Sequence, residues 1–497
     1  MAAAEQARAR HALEVAEQQY RIAERGATAE DQTTRFRIAE GLGDVFMLRG
    51  RYDQAAAQFE VALGLAEGEL AQAEIEGKLG ELAFKRGDIG VATARIEQAV
   101  RQLGRRVPRW SFTFVVMVLW EAIVQFFHCL CPRFFLGRKK LEGFAKERLA
   151  LRLYSRLAHL YWFHRGAAAA LWAHLRELNR AERYPPTPEL AQAYSEHAPG
   201  MTLLAWFGRG IAYAEKSLAM RKQFGDLWGQ GQSLHFYGIV LYAASRFDDA
   251  IARCREAVRL LERTGDFWEV NIARFQIAAS LYHRGDFAGA LAEARRMHQS
   301  GQELGDAQAS GISLDVWARA ALGRIPAQII QAEMERSTGD VQRNAQVLLA
   351  EGVRLFYAKQ ADKASEVLER ARDQIAAAGI RNAWVAPILP WLATALRTQA
   401  QETSALTPGK RAELLRRAWR AARQGLRITR KFRNNYPHAL RECGLLLAIM
   451  GKPARAYRYF ERSVAVAQEQ GAVYERAQTL LARAQVGVEL GREGAAA

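Results

Sequence analysis

Cysteine and proline are scarce. The 497 residues hold four cysteines, Cys129, Cys131, Cys254 and Cys443, too few for a disulfide framework in so long a chain. With no basic and apolar leader at the start, they predict a reducing cytoplasm. Twelve prolines and a shortage of β-branched runs exclude a sheet-rich chain, and the Ala, Leu, Glu, Arg and Gln that fill long stretches favour helix throughout. Also missing are GxxxxGK[ST], a GxGxxG after a strand, HExxH and GxSxG. Nucleotide, metalloprotease and hydrolase chemistry therefore have no seat of the usual kind. No catalytic residue and no cofactor is expected. Half the residues are hydrophobic and a quarter charged, which excludes a disordered chain.

What is present is a repeat. Leu42-Gly43, Phe46, Gly50, Tyr52, Ala55, Phe59 and Ala62 form its cleanest copy. Leu79-Gly80 through Ala99 and Tyr237-Gly238 through Ala257 reproduce the spacing. Weaker copies start at Gly352 and Gly444. Small residues suit places where paired helices approach closely, and large ones fill the grooves between. Ala158, Ala198, Gly238, Ala278 and Ala318 recur every 40 residues, as do Gly225-Asp226, Gly265-Asp266 and Gly305-Asp306. Gly suits a left-handed helix end and Asp the N-cap of the next helix. The pattern is tetratricopeptide-like and predicts an all-α, right-handed superhelix of about eleven antiparallel helix pairs. Ala12, Ala16, Tyr20 and Ala23 read as one face of a second helix whose first helix is missing. The organisation expected is repeats over 1–106, apolar and basic connecting helices over 107–150, central repeats of about 40 residues over 151–380, and C-terminal repeats over 381–497.

Two features depart from the repeat. Between Arg109 and Pro132 the one charge is Glu121, and the segment is long enough to cross a bilayer. Because Glu121, Gln125 and His128 share a helical face and a repeat is due there, the expectation is a buried or inter-repeat helix. An interfacial membrane helix and a span are the alternatives, with basic residues flanking both ends. Charge is the second feature. The net +17 comes from two islands, +11 over Arg101–Arg183 and +9 over Lys410–Arg433, against −3 elsewhere. Arg416, Arg420, Arg423 and Arg427 share a helical face, which repels itself unless solvated or matched by an acidic protein or lipid surface. No nucleic-acid fold motif is present, so no nucleic-acid partner is expected.

Stacked helix pairs leave a concave groove lined by first helices, a binding surface rather than a catalytic one. Register places Gln232, His235, Tyr242, Phe275 and Tyr282 in it, with Trp228 and Trp268 each three residues after a Gly. An aromatic ladder of this kind grips a peptide or helix, or alternatively seals neighbouring repeats. Arg37 and Gly41, Gln232 and Phe236, Ile272 and Gln276 do not supply the Lys or Arg and Asn of a C-terminal carboxylate clamp. His128-Cys129-Leu130-Cys131 lacks a second ligand pair, so no metal is assigned. His159, His164 and His174 lack a nucleophile and read as structural.

Stretches such as Leu171-Trp172-Ala173-His174-Leu175-Arg176-Glu177-Leu178-Asn179, Gly229-Gln230-Gly231-Gln232-Ser233-Leu234-His235-Phe236-Tyr237-Gly238 and Tyr474-Glu475-Arg476-Ala477-Gln478 resemble the helical-repeat region of large bacterial signalling proteins. In those, a kinase-like domain and a STAND or AAA-type ATPase precede the repeats, and a GAF plus histidine-kinase or cyclase module follows. The resemblance covers nearly the whole chain without the catalytic modules. It implies a non-catalytic interaction scaffold or sensing array in bacterial signal transduction. Its partner is then a protein, such as a separately encoded ATPase or kinase. A membrane-associated assembly factor using residues 110–131, and a small-molecule sensor, are the other readings. The expected location is the cytoplasm, including the inner face of the membrane.

Overall fold

The computed structural model describes residues 1–489 apart from 29, 337–338 and 404–405. Within them the regular structure is entirely helical. Eleven helix pairs follow one another, from Ala2–Ala9 with Leu13–Gly26 to Tyr436–Ile449 with Pro453–Glu469, and the helix Val473–Glu489 closes the array. The first helix that the sequence reading found missing is present as the two turns of Ala2–Ala9, with Ala4 buried.

The small residues act as the spacing implies. A Cβ on Gly43 would lie 2.4 Å from Phe59, one on Gly80 2.4 Å from Ile96, and one on Gly238 2.1 Å from the Cys254 sulfur. Gly352 meets Leu368 and Gly444 meets Phe460 in the same way. Each partner is 16 residues on, so a close crossing within one pair fixes both identities. Gly265 and Gly305 end their helices in the left-handed region. Asp226, Asp266 and Asp306 then cap the next helices by accepting from the backbone N–H of Gly229, Glu269 and Ala309.

The array winds tightly enough to meet itself. The helix Phe267–Arg284 and its cap are met from both directions along the chain. Lys85 pairs with Asp266 at 3.6 Å and the Phe84 ring meets Trp268 at 5.8 Å. From the other end, Arg284 donates to the Gly471 carbonyl at 2.8 Å, Tyr282 packs on Tyr474, and Asn434 donates to the Tyr242 carbonyl at 2.6 Å. Trp384 reaches Gln276 across 108 positions of chain. The concave side is therefore filled by the protein's own residues. Apolar packing also joins residues 73–107 to residues 149–173, with Phe114 as the buried contribution of the segment between, and the flanking repeats stack on each other and leave the rest of that segment outside.

Candidate docking surface

That segment forms the helix Ser111–Leu130 and the single turn Pro132–Phe135. The helix lies along the second helix of a pair, Ala167–Ala181. Its orientation is inverted relative to an ordinary surface helix. Glu121, Gln125 and His128 face inward and are buried, Glu121 at 3% exposure. Glu121 accepts from Arg176 at 2.6 Å and from the Asn179 amide at 2.8 Å, which also donates to the Glu121 carbonyl. His128 Nδ1 lies 2.8 Å from the Glu182 carboxylate, and the His128 ring stacks on Phe135. Phe114 is the apolar anchor, set edge-on to Tyr161 and Trp172. Arg209 donates to the Cys129 sulfur at 2.8 Å and lies over the exposed Trp206 ring.

The outward face is apolar. Phe112, Val116, Leu119, Ile123, Phe126 and Leu130 alternate four- and three-residue steps and are 51–70% exposed. Val115, Trp120 and Phe127 widen the stripe to an arc of about 140° at 100° per residue, broader than a coiled-coil seam. Trp110, Phe134, Phe135 and Leu141 extend it at both ends. An exposed apolar run of this size marks an interaction surface.

Its rim is basic. Arg106 and Arg109 precede the helix, and Arg133, Arg138, Lys139 and Lys140 follow it, all exposed. The segment after the helix is held by Gly137 and Lys139 donating from the backbone to the carbonyls of Glu182 and Arg183. Slight burial, together with Arg183 nearby, lowers the pKa of Lys139, whose ammonium lies over Tyr184. The one acid between Arg101 and Leu141 is Glu121, and it points away from the surface.

The expectation of a buried or inter-repeat helix is thus corrected. Direct stacking of the neighbouring repeats leaves no slot, and the polar face rather than the apolar one finds partners in the array. By length and composition the helix is long and apolar enough to cross a membrane, yet 22% of its apolar window is buried against the protein.

The groove reading is corrected as well. Gln232, His235, Tyr242, Phe275 and Tyr282 are buried, and Trp228 and Trp268 half-buried, because the tight winding brings other repeats onto them. Gln232 and His235 both meet the Glu269 carboxylate, at 3.0 and 2.7 Å. Those contacts outweigh burial and lower the pKa of Glu269 to about 2. Trp228 donates to Asp266. Arg319, paired with Asp315, lies over the Tyr282 ring at 4.7 Å. The aromatic series is brought together as internal packing, and no open wall is made of it.

Arg416, Arg420, Arg423 and Arg427 stay exposed on the helix Pro408–Thr429. Glu413 reaches Arg416 at 2.7 Å and Arg420 at 3.5 Å, and Arg423 lies over Trp419. Residues 404–405, in the connection that precedes this helix, lie outside the described residues. The docking helix was visible in the sequence as an apolar segment. Its latch on Arg176 and Asn179, 55 and 58 residues away, had no local signal.

No family model and no curated protein matches the chain. Among solved structures the chain is similar to a Rap protein complexed with competence and sporulation factor, at 11% identity over 90% of this chain and 100% of that one, TM-score 0.43. Yeast Tom70 matches at 11% identity over 97% and 94%, TM-score 0.38. Cut9–Hcn1 of the APC/C matches at 12% identity over 96% and 95%, TM-score 0.35.

Proposed function

We propose that this chain is a peripheral membrane scaffold, a tetratricopeptide-like superhelix that lies on an anionic bilayer through the helix Ser111–Leu130 and holds a protein partner there. The observation that carries the reading is the inverted helix: Glu121, Gln125 and His128 are turned inward, Glu121 and His128 bonding to the array, and a broad apolar face is left to the outside. A lipid surface fits this face better than a partner helix does, because its arc exceeds a coiled-coil seam and cationic residues rim both ends where headgroups would sit. The helix lies flat rather than spanning, since Glu121 and His128 tie it to the folded array. The location proposed is the cytoplasmic face of the membrane, where anionic lipid is enriched.

Flotation with phosphatidylglycerol-containing vesicles tests this. Flotation that is released by carbonate and weakened in pure phosphatidylcholine supports it. Failure to float on either, or resistance to carbonate, overturns it.

The exposed row Arg416, Arg420, Arg423 and Arg427 favours a second contact, with an acidic protein surface. In the signalling context suggested by the family resemblance, that protein is a separately encoded ATPase or kinase, and the scaffold itself does no chemistry. Reversing the four arginines to Glu abolishes co-purification of the partner while vesicle flotation persists. Undiminished co-purification refutes the contact.

A further inference from the structure

The helix that latches the docking segment carries a second polar cluster on its buried side. His174 and Glu177 stand one turn apart on Ala167–Ala181, and Glu196 faces them from Pro188–Thr202. One ring nitrogen of His174 and one oxygen from each carboxylate lie within 4.8 Å of one another, all buried. We propose that His174, Glu177 and Glu196 form a binding site for a first-row divalent transition metal, joining two successive helix pairs.

Four observations support it. First, two carboxylate oxygens are unmatched. Glu177 is 1% exposed and Glu196 7%, and Oε2 of each meets no donor. Leaving such oxygens unmatched in the interior is costly, and a cation removes the cost. Second, the other oxygen of Glu196 is fixed. Ser155 and Gln192 both donate to Oε1 at 2.6 Å, an outer layer of the kind that orients metal ligands.

Third, His174 is held by His197, whose Nδ1 lies 2.8 Å from His174 Nε2. Fourth, the neighbouring arginines make their ion pairs with other carboxylates. Arg156 is engaged by Glu81 at 3.2 Å and Arg152 by Glu189 at 3.2 Å. His159, half-buried, lies 3.9 Å from Glu196.

The geometry is within reach. Ligand atoms around a tetrahedral ion at about 2.1 Å sit about 3.4 Å apart, so side-chain rotations of about an ångström close the cluster, with water completing the shell. One imidazole and two carboxylates suit Zn²⁺, Fe²⁺ or Mn²⁺ rather than a thiolate-loving ion, and Zn²⁺ binds tightest of the three. By sequence alone His174 reads as structural and no metal is assigned. The ligands sit 22 positions apart, and only the fold brings Glu196 against the His174-x-x-Glu177 turn.

The test uses the full, untagged chain after chelator dialysis. Zn²⁺ is titrated by calorimetry, with Co²⁺ as a spectroscopic stand-in. The expected result is one tight equivalent of Zn²⁺, visible Co²⁺ bands without thiolate charge transfer, and a rise in melting temperature with added Zn²⁺. Glu177→Gln keeps the shape of the side chain, so it folds as the parent does and loses Zn²⁺ affinity at least tenfold. His174→Asn does the same. The proposal is overturned if the parent binds no Zn²⁺ at micromolar concentration, if both variants bind as the parent does, or if the Co²⁺ complex shows thiolate charge transfer, which points instead to Cys129 and Cys131.

Discussion

Replacing Leu119 and Ile123 by Glu separates a docking face from an accident of exposure. Both residues lie on the outward stripe, 61% and 51% exposed. Full burial of such a side chain is worth about 1.5–3 kcal/mol, so lipid has roughly half of that, about 1–1.5 kcal/mol per residue, still to gain. Two carboxylates at the headgroup boundary add a further penalty of about 1–2 kcal/mol each, less than the cost at a bilayer centre. The sum, about 4–7 kcal/mol, is a loss of roughly 10³- to 10⁵-fold in partitioning. The fold itself loses little, because exposed positions tolerate substitution within about 0.5 kcal/mol. Vesicle flotation combined with thermal melting is the assay. Flotation abolished at an unchanged melting temperature is expected. A variant that floats like the parent refutes the reasoning, as does one whose melting temperature collapses, since the face would then be packed in solution.

Further predictions concern the latch, the core and pH. Glu121→Ala leaves Arg176 unmatched and takes one of two acceptors from the Asn179 amide, at a cost of about 1.5–3 kcal/mol of local stability, which limited proteolysis detects as new cleavage between residues 105 and 145; an unchanged digest counts against the latch. Gly238→Ala drives a methyl onto Cys254 and destabilises by about 1–3 kcal/mol, and Cys254→Ala in the same chain recovers most of it; additive losses contradict the close crossing. Arg319→Ala strands the buried Asp315 at a cost of about 3–5 kcal/mol by denaturant titration, whereas Arg319→Met with Asp315→Asn costs less; equal losses refute the pairing argument. Burial raises the pKa of Asp306 from 3.8 to about 6, so between those values the folded state holds a proton that the unfolded state lacks, and stability falls as pH rises through the window. Asp306→Asn, which keeps the cap, removes that slope and melts higher above pH 6, by up to about 3 kcal/mol; identical melts for variant and parent at pH 5 and pH 7.5 exclude it.

The repeat was legible because its constraints are short-ranged. A Gly that must clear a side chain 16 residues on leaves the same mark in every copy, from Gly43 over Phe59 to Gly444 over Phe460. Punctuation by Gly and Asp was legible for the same reason: capping engages the next two or three residues. Arg416 to Arg427 were likewise read from local helical spacing, and they are solvent-facing. The candidate sites were less legible. Hydropathy marked Ser111–Leu130 as unusual, and helical spacing gathered Glu121, Gln125 and His128 on one face, but spacing does not say which face turns inward. That depended on Arg176, Asn179 and Glu182, whose availability is a property of the next helix pair. The His174, Glu177 and Glu196 cluster was invisible because its third member belongs to another repeat.

By itself, then, the sequence determined an all-α array of helix pairs, its register and its charge islands, since each is set by neighbours within a few turns of chain. The tertiary structure alone decided that the array winds onto itself, filling the expected groove with Tyr242, Phe275 and Tyr282 and tying Arg284 to Gly471 across 187 positions. It also decided that the apolar helix is stacked past and left outside, polar side in. The physical reason is that superhelical winding accumulates small rotations from every interface along the array. No single motif encodes that total, and contacts between distant turns form only where it brings them together.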